Sequence, residues 1–243
     1  MMVPSVPAPL WSLQFSRSLW HESMPPRPVE DLSASKITMD REILEELHRA
    51  DCAGHWALTR HLCELVLAEC PSHGPTLLRY AACLTTFSLY DEAAAVLNRA
   101  DAAVPKKRRH LVLTQRGHLR KAMGAYAEAE SLFLAAHELD PNDATYLIYA
   151  FSAASARGDV SRAEELIRRA LECQKGCFDE AYFNLGGCLL RKKQYHEARQ
   201  CYEQALEIDP DYEIAKVRLA DLDALRERQR DPSGAASTDS NPQ

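Results

Sequence analysis

The chain has 243 residues, 46% of them hydrophobic and 26% charged, and a formal charge of −6. That is ample apolar material for a folded core, so disorder of the whole chain is excluded. The negative balance excludes a general polyanion binder, because nucleic-acid affinity rests on a basic field that releases counterions from phosphates.

In chain order, residues 1 to 39 are rich in Pro and Ser and read as a disordered extension. Pro4, Pro7 and Pro9 break up the apolar run there, so it does not read as a secretory leader. Leu10-Trp11-Ser12-Leu13-Gln14-Phe15, followed by Leu19-Trp20, is unusually apolar for such a segment. It reads as a docking element, either within this chain or toward another protein, because exposed aromatics often anchor interfaces.

From residue 40 the pattern turns helical. The span 40–73 carries Ile43, Leu47, Gly54, Trp56 and Pro71, with Thr59, Cys63 and Val66 spaced along its second half. The span 74–107 carries Leu77, Ala81 and Leu84, then Tyr90-Asp91-Glu92 leading into Ala93, Leu97, Ala100 and Pro105. Lys106-Lys107-Arg108-Arg109-His110 is the one basic run; it reads as a solvated loop, with nuclear import or anion contact as the functional alternatives. The span 110–143 repeats the scheme with Leu113, Gly117, Tyr126, Glu128, Ala129, Phe133, Ala136 and Pro141. The span 144–177 keeps Leu147, Ala150, Gly158, Ala163, Ile167 and Ala170, but has Phe151 at a slot that is small elsewhere and Lys175 where a proline closes its neighbours.

The clearest copy is 179–212: Tyr182-x-x-Leu185-Gly186-x-x-Leu189, then Ala198-x-x-x-Tyr202-x-x-Ala205, then Pro210. Residues 213–230 follow, with Ile214, Val217, Leu219, Leu222 and Leu225 among charges, as a single amphipathic helix able to cover an end. The tail 231–243 has no periodicity and reads as disordered. Small residues such as Ala93, Ala129, Ala163 and Ala198 let two helices approach while larger ones interdigitate. The prolines end each second helix.

This pattern resembles the tetratricopeptide repeat family, strongly at 179–212 and 110–143, and in degenerate form at 40–73. The resemblance implies an all-α, right-handed superhelical solenoid of helix-turn-helix repeats with a C-terminal capping helix. It also implies that the first helices of successive repeats line a concave face. The outward slots of those helices are Leu78, Arg79, Gln115, His118, Ile148, Tyr149, Ser152, Phe183 and Asn184, with Arg218 on the capping helix. Such a lining suits an extended or helical peptide. The alternative is that Leu78, Ile148 and Phe183 pack inside the protein. Some members of the family grip a terminal carboxylate with Lys and Asn residues. Here Asn184 and Arg218 are the matching groups, while Ile148, Ser152 and Ile214 occupy the partner slots, so the clamp is not complete.

Chemistry leaves few other candidates. His55, His61, His73, His110 and His118 are scattered and lack the i,i+4 pair of a metalloprotease helix, and no phosphate-cradling glycine loop exists. The expectation is therefore no enzyme, no cofactor and no metal. Eight cysteines without a CxxC pair, most on amphipathic segments, read as reduced packing thiols in a cytoplasmic protein. A pairing of Cys173 or Cys177 with Cys188 or Cys201 is the redox alternative. Lys106, Lys107, Arg108 and Arg109 keep nuclear import open. No stretch approaches the roughly 18 to 20 apolar residues that span a bilayer, so no membrane role is expected. The leading function is an adaptor or co-chaperone-like scaffold that binds a partner peptide in its groove. The alternatives are a structural subunit that joins an assembly by its edges and convex face, and an enzyme accessory factor; self-association also stays open.

Overall fold

The structure, a computed structural model, describes residues 41–230; the extension expected at 1–39 and the tail at 231–243 lie outside the described residues. Among the described residues there are eleven α-helices and no strand, as the all-α reading requires. They are α1 Arg41–Cys52, α2 Trp56–Glu69, α3 Gly74–Thr86, α4 Tyr90–Ala103, α5 Arg109–Ala122, α6 Tyr126–Leu139, α7 Thr145–Ala156, α8 Val160–Ala170, α9 Phe178–Arg191, α10 Tyr195–Ile208 and α11 Glu213–Arg230. Two compact units divide the chain between Ala125 and Tyr126, inside the 110–143 sequence repeat. In the first, α2 packs on α1 and α3, α3 on α4, and α5 on both α3 and α4. In the second, each helix from α6 to α11 packs on the next.

Each turn from a first to a second helix closes in the same way. One residue adopts the left-handed conformation and the amide after it donates back to a carbonyl five residues earlier, as in Leu89 N–H to Leu84 O (2.9 Å) and Gln194 N–H to Leu189 O (2.9 Å). Glycine fills the left-handed position at Gly54, Gly124 and Gly158, with φ between 69° and 82°. Ser88 (φ 60°) and Lys193 (φ 61°) fill it in the other two turns, where a Cβ is strained.

Packing follows the small residues. Ala93, Ala129, Ala163 and Ala198 are each 0% exposed. At Gly186 a Cβ would lie 2.6 Å from the ring of Tyr202, which is itself 1% exposed, so the helix pair α9 and α10 closes only because that position has no side chain. The first repeat departs from this rule: Thr59 takes the alanine slot in α2, fully buried, and its hydroxyl finds no partner.

The missing proline at 175 has a structural answer. Residues 171–177 fold back on the preceding corner: Lys175 pairs with Asp143 as an isolated parallel bridge, Ala144 N–H donates to Lys175 O at 2.9 Å, and the Lys175 ammonium reaches Asp140 at 2.9 Å. Gly176, at φ 131°, lies so close to Ala144 that a Cβ would come within 2.7 Å of it. The proline's stop is replaced by a tie between successive exits.

Two substitutions test this account. Gly186→Ala should destabilise by about 1–3 kcal/mol despite alanine's better helix propensity, because a rigid buried ring cannot move aside. Lys193→Gly should stabilise by about 0.5–1 kcal/mol by relieving the left-handed strain. Urea denaturation midpoints of the two variants against the parent read both signs.

Candidate peptide-binding face

The first helices of the repeats contribute the expected slots in two groups. Leu78, Arg79, Gln115 and His118 belong to the first unit. Ile148, Tyr149, Ser152, Phe183, Asn184 and Arg218 belong to the second. The structure corrects the outward orientation of two of them. Leu78 is 4% exposed and Ile148 0%, so both are core residues, which is the packing alternative. A large aliphatic group at these slots is drawn under the neighbouring helix because burying it stabilises by roughly 1.5–3 kcal/mol.

The other slots are partly or wholly engaged. Arg79 is ion-paired with Asp51 of α1 at 2.8 Å, with both side chains largely buried. Gln115 is buried on α5. Tyr149 lies 5.3 Å from the Phe133 ring, and Ser152 donates to the Tyr149 carbonyl at 2.7 Å. Burial pushes the Tyr149 phenol well above its usual value, so it stays a neutral donor. Phe183 sits between Tyr202 (5.6 Å) and Tyr212 (5.1 Å), a half-buried aromatic cluster rather than a free anchor. Arg218 is part-exposed and 3.4 Å from Asp221.

Asn184 differs from all of these. It is 9% exposed, and its side-chain nitrogen is buried without a hydrogen-bond partner. One turn further along α9, on the same face, stands Gly187. A Cβ there would meet nothing within 4 Å, so no packing explains the glycine. The sequence reading overlooked Gly187; its signal was a second glycine beside Gly186 in mid-helix, where one suffices for packing.

Among the described residues, no group of three or more His, Cys, Asp or Glu side chains is placed to hold a metal ion. All eight cysteines are free; burial pushes the Cys63 thiol far up and the Cys83 thiol up to about 12, so neither is a nucleophile at neutral pH. The Cys173 thiol instead faces the carbonyls of Pro141 and Arg169, each at 3.7 Å. The basic run is folded, with Lys106–Arg108 in a 3-10 turn and Arg109 opening α5 beside Asp101 at 3.4 Å. No helix among the described residues is long and apolar enough to cross a membrane.

Helix hairpins closed over small residues, with polar groups along their first helices, define a helical-repeat fold. Residues 179–212 match the family described as tetratricopeptide repeat. A thermophilic protein with these repeats from Thermus thermophilus shares the fold at a TM-score of 0.62, with 19% identity over 74% of this chain and 97% of that one. Residues 179–212 thus form a tetratricopeptide repeat, and the described helices share the fold of proteins built from such repeats. Among curated proteins it is similar to the protein CTR9 homolog of Arabidopsis thaliana, 30% identical over 44% of this chain and 10% of that protein. It is also similar to the transcription factor tau subunit sfc4 of Schizosaccharomyces pombe, 29% identical over 49% of this chain and 12% of that protein. The chain thus spans about a tenth of the length of these relatives.

Among the expected slots, the titration of His118 gives a measurable consequence. Burial, and secondarily the charge of Lys121, hold its imidazole below the ordinary value of 6.5. The folded state then binds fewer protons than the unfolded one just below that value, so stability is complete above it and declines as the pH falls through it. His118→Gln should flatten the decline between pH 7.5 and 5.5 by up to about 1 kcal/mol per pH unit. His73 and His137, lowered mainly by burial, supply the remainder. Denaturation midpoints at the two pH values test it; parallel pH profiles for parent and variant would refute the assignment.

Proposed function

We propose that the second unit holds an extended segment of a protein partner along the first helices of its repeats, with α9 as the centre of contact. The observation that carries this reading is the pairing of Asn184 and Gly187. A buried amide without a partner costs roughly 1–3 kcal/mol, and a glycine in mid-helix costs a further 0.5–1 kcal/mol. Two such costs on one face are accounted for by a ligand that draws the amide outward to its own backbone and approaches the helix where a side chain is missing. The neighbouring aromatic cluster of Phe183 and Tyr212 offers apolar surface for one of its side chains. The protein acts in this reading as an adaptor, and the incomplete carboxylate clamp favours an internal segment over a chain end.

A second reading is a structural subunit of an assembly. It draws on the similarity to a protein named as a subunit, and on Leu139 and Ile208, 53% and 51% exposed at the ends of α6 and α10.

A displayed library of random extended peptides selected on the full chain tests the first reading. Asn184→Ala and Gly187→Ala should each weaken the selected peptides at least about tenfold, the equivalent of about 1.4 kcal/mol. Gly187→Ala should at the same time stabilise the fold by about 0.5–1 kcal/mol, the opposite sign to the neighbouring Gly186→Ala. Unchanged affinity in both variants would abandon α9 and shift the weight to the subunit reading.

A further inference from the structure

The second helix of each repeat presents an outer face to solvent, and the five can be compared slot by slot. Where α4 carries Glu92 and Arg99, α6 Glu128 and Ala135, α8 Arg162 and Arg169, and α10 Glu197 and Gln204, α2 carries Leu58 and Leu65. These leucines are 38% and 43% exposed. His61 lies between them and Ala57 and Ala68 flank them, also exposed, so this outer face of α2 carries large apolar side chains at slots that are polar on α4, α8 and α10. Exposed leucines one above the other, on a helix whose opposite side is already buried, offer an apolar strip that a further element can cover.

We infer that the apolar segment Leu10 to Trp20 of this same chain covers the outer face of α2. Three observations favour this occupant. The 40 residues outside the described structure end at Arg41, where α1 begins, and because α1 and α2 form an antiparallel hairpin that point lies beside the C-terminal end of α2. The twenty residues between Trp20 and Arg41 reach up to roughly 66 Å when extended, several times the 58-to-65 span of about 10 Å. Leu10, Trp11, Leu13, Phe15, Leu19 and Trp20 then supply the apolar surface, and Arg17, the segment's single charged residue, has exposed Glu69 available at the end of the face.

A second copy is the weaker occupant. A stable interface between separate molecules buries on the order of 1,200–2,000 Å², which two leucines and their small neighbours do not provide. A tethered segment needs far less, because its effective concentration is on the order of millimolar. The inference is independent of the α9 reading: it concerns the other unit and does not use Asn184 or Gly187.

The test keeps Trp11 as the sole tryptophan by Trp20→Phe and Trp56→Phe in the full chain, and measures acrylamide quenching with and without Leu58→Glu and Leu65→Arg, the polar pair that α4 carries. Helicity should be unchanged, while the quenching constant of Trp11 should rise at least about twofold when the leucines are replaced. Equal quenching in both proteins overturns the inference, and protection of Trp11 that disappears on dilution assigns the face to a second copy and overturns it too. A benzophenone amino acid at position 65, which leaves the apolar face intact, should crosslink within the chain to a peptide from residues 10–20. Capture of a second chain, or no product from that segment, counts against it.

Discussion

The structure depends on close approach at the helix crossings. Two helices carrying leucines at the point of contact stand about 10 Å apart, and a smaller residue there lets the axes close while neighbouring rings fill the space on either side. In α9 and α10 the limit is reached: Gly186 leaves no gap between its backbone and the Tyr202 ring. The same need explains why Ala93, Ala129, Ala163 and Ala198 are wholly buried although alanine itself contributes little apolar area. What they contribute is access for the large residues around them, such as Phe133, Leu147, Leu166 and Ile167 in the second unit.

Apolar packing of this kind does not fix register strongly, and charge pairs add that information. Asp51 with Arg79 ties α1 to α3, and Asp101 with Arg116 ties α4 to α5. Glu130 accepts from Arg162 at 2.7 Å and is 3.3 Å from Arg157, tying α6 to α8 and its entry turn. Glu164 pairs with Lys192, and Arg199 with Asp223, across the next two steps. Exposed pairs contribute little, roughly 0–1 kcal/mol. Asp51 and Glu130 are different, since their side chains are only 14% and 10% exposed. Loss of the arginine partner in either case leaves a buried carboxylate uncompensated, which penalises slipped arrangements more than it rewards the correct one.

Much of this was legible in the sequence, for a physical reason. Alanine spacing and corner prolines report constraints that are local to one helix pair, so Ala93 or Pro141 could be assigned without coordinates. The turn residues were half legible: Gly54 and Gly158 announce the left-handed position, whereas Ser88 and Lys193 occupy it against their preference and carry no compositional signal. The exit at 171–177 was visible only as a missing proline, because its substitute is a contact between Lys175 and a corner more than thirty residues earlier. The candidate face was the least legible part. Slot position alone cannot separate Ile148, pulled fully into the core, from Asn184, buried but unsatisfied; that difference belongs to the neighbours of each residue.

The same neighbours bear on why the contact proposed here lies on a face rather than in a pocket. The hollow between the corners of the second unit, of about 240 Å³, is lined by His137, Arg169, Glu172, Cys173 and the 141–142 turn. Donor groups gather there, but His137 and Arg169 stand in the last turns of α6 and α8, where helix carbonyls attract cations. Arg169 is thus favoured as a cation by its own helix end, while burial disfavours the charged form of His137 and leaves its Nδ1 without a partner. Along the sides of the first helices the backbone is already paired, so an unpaired side-chain nitrogen such as that of Asn184 stands there without loosening the turns on which the hairpins rely.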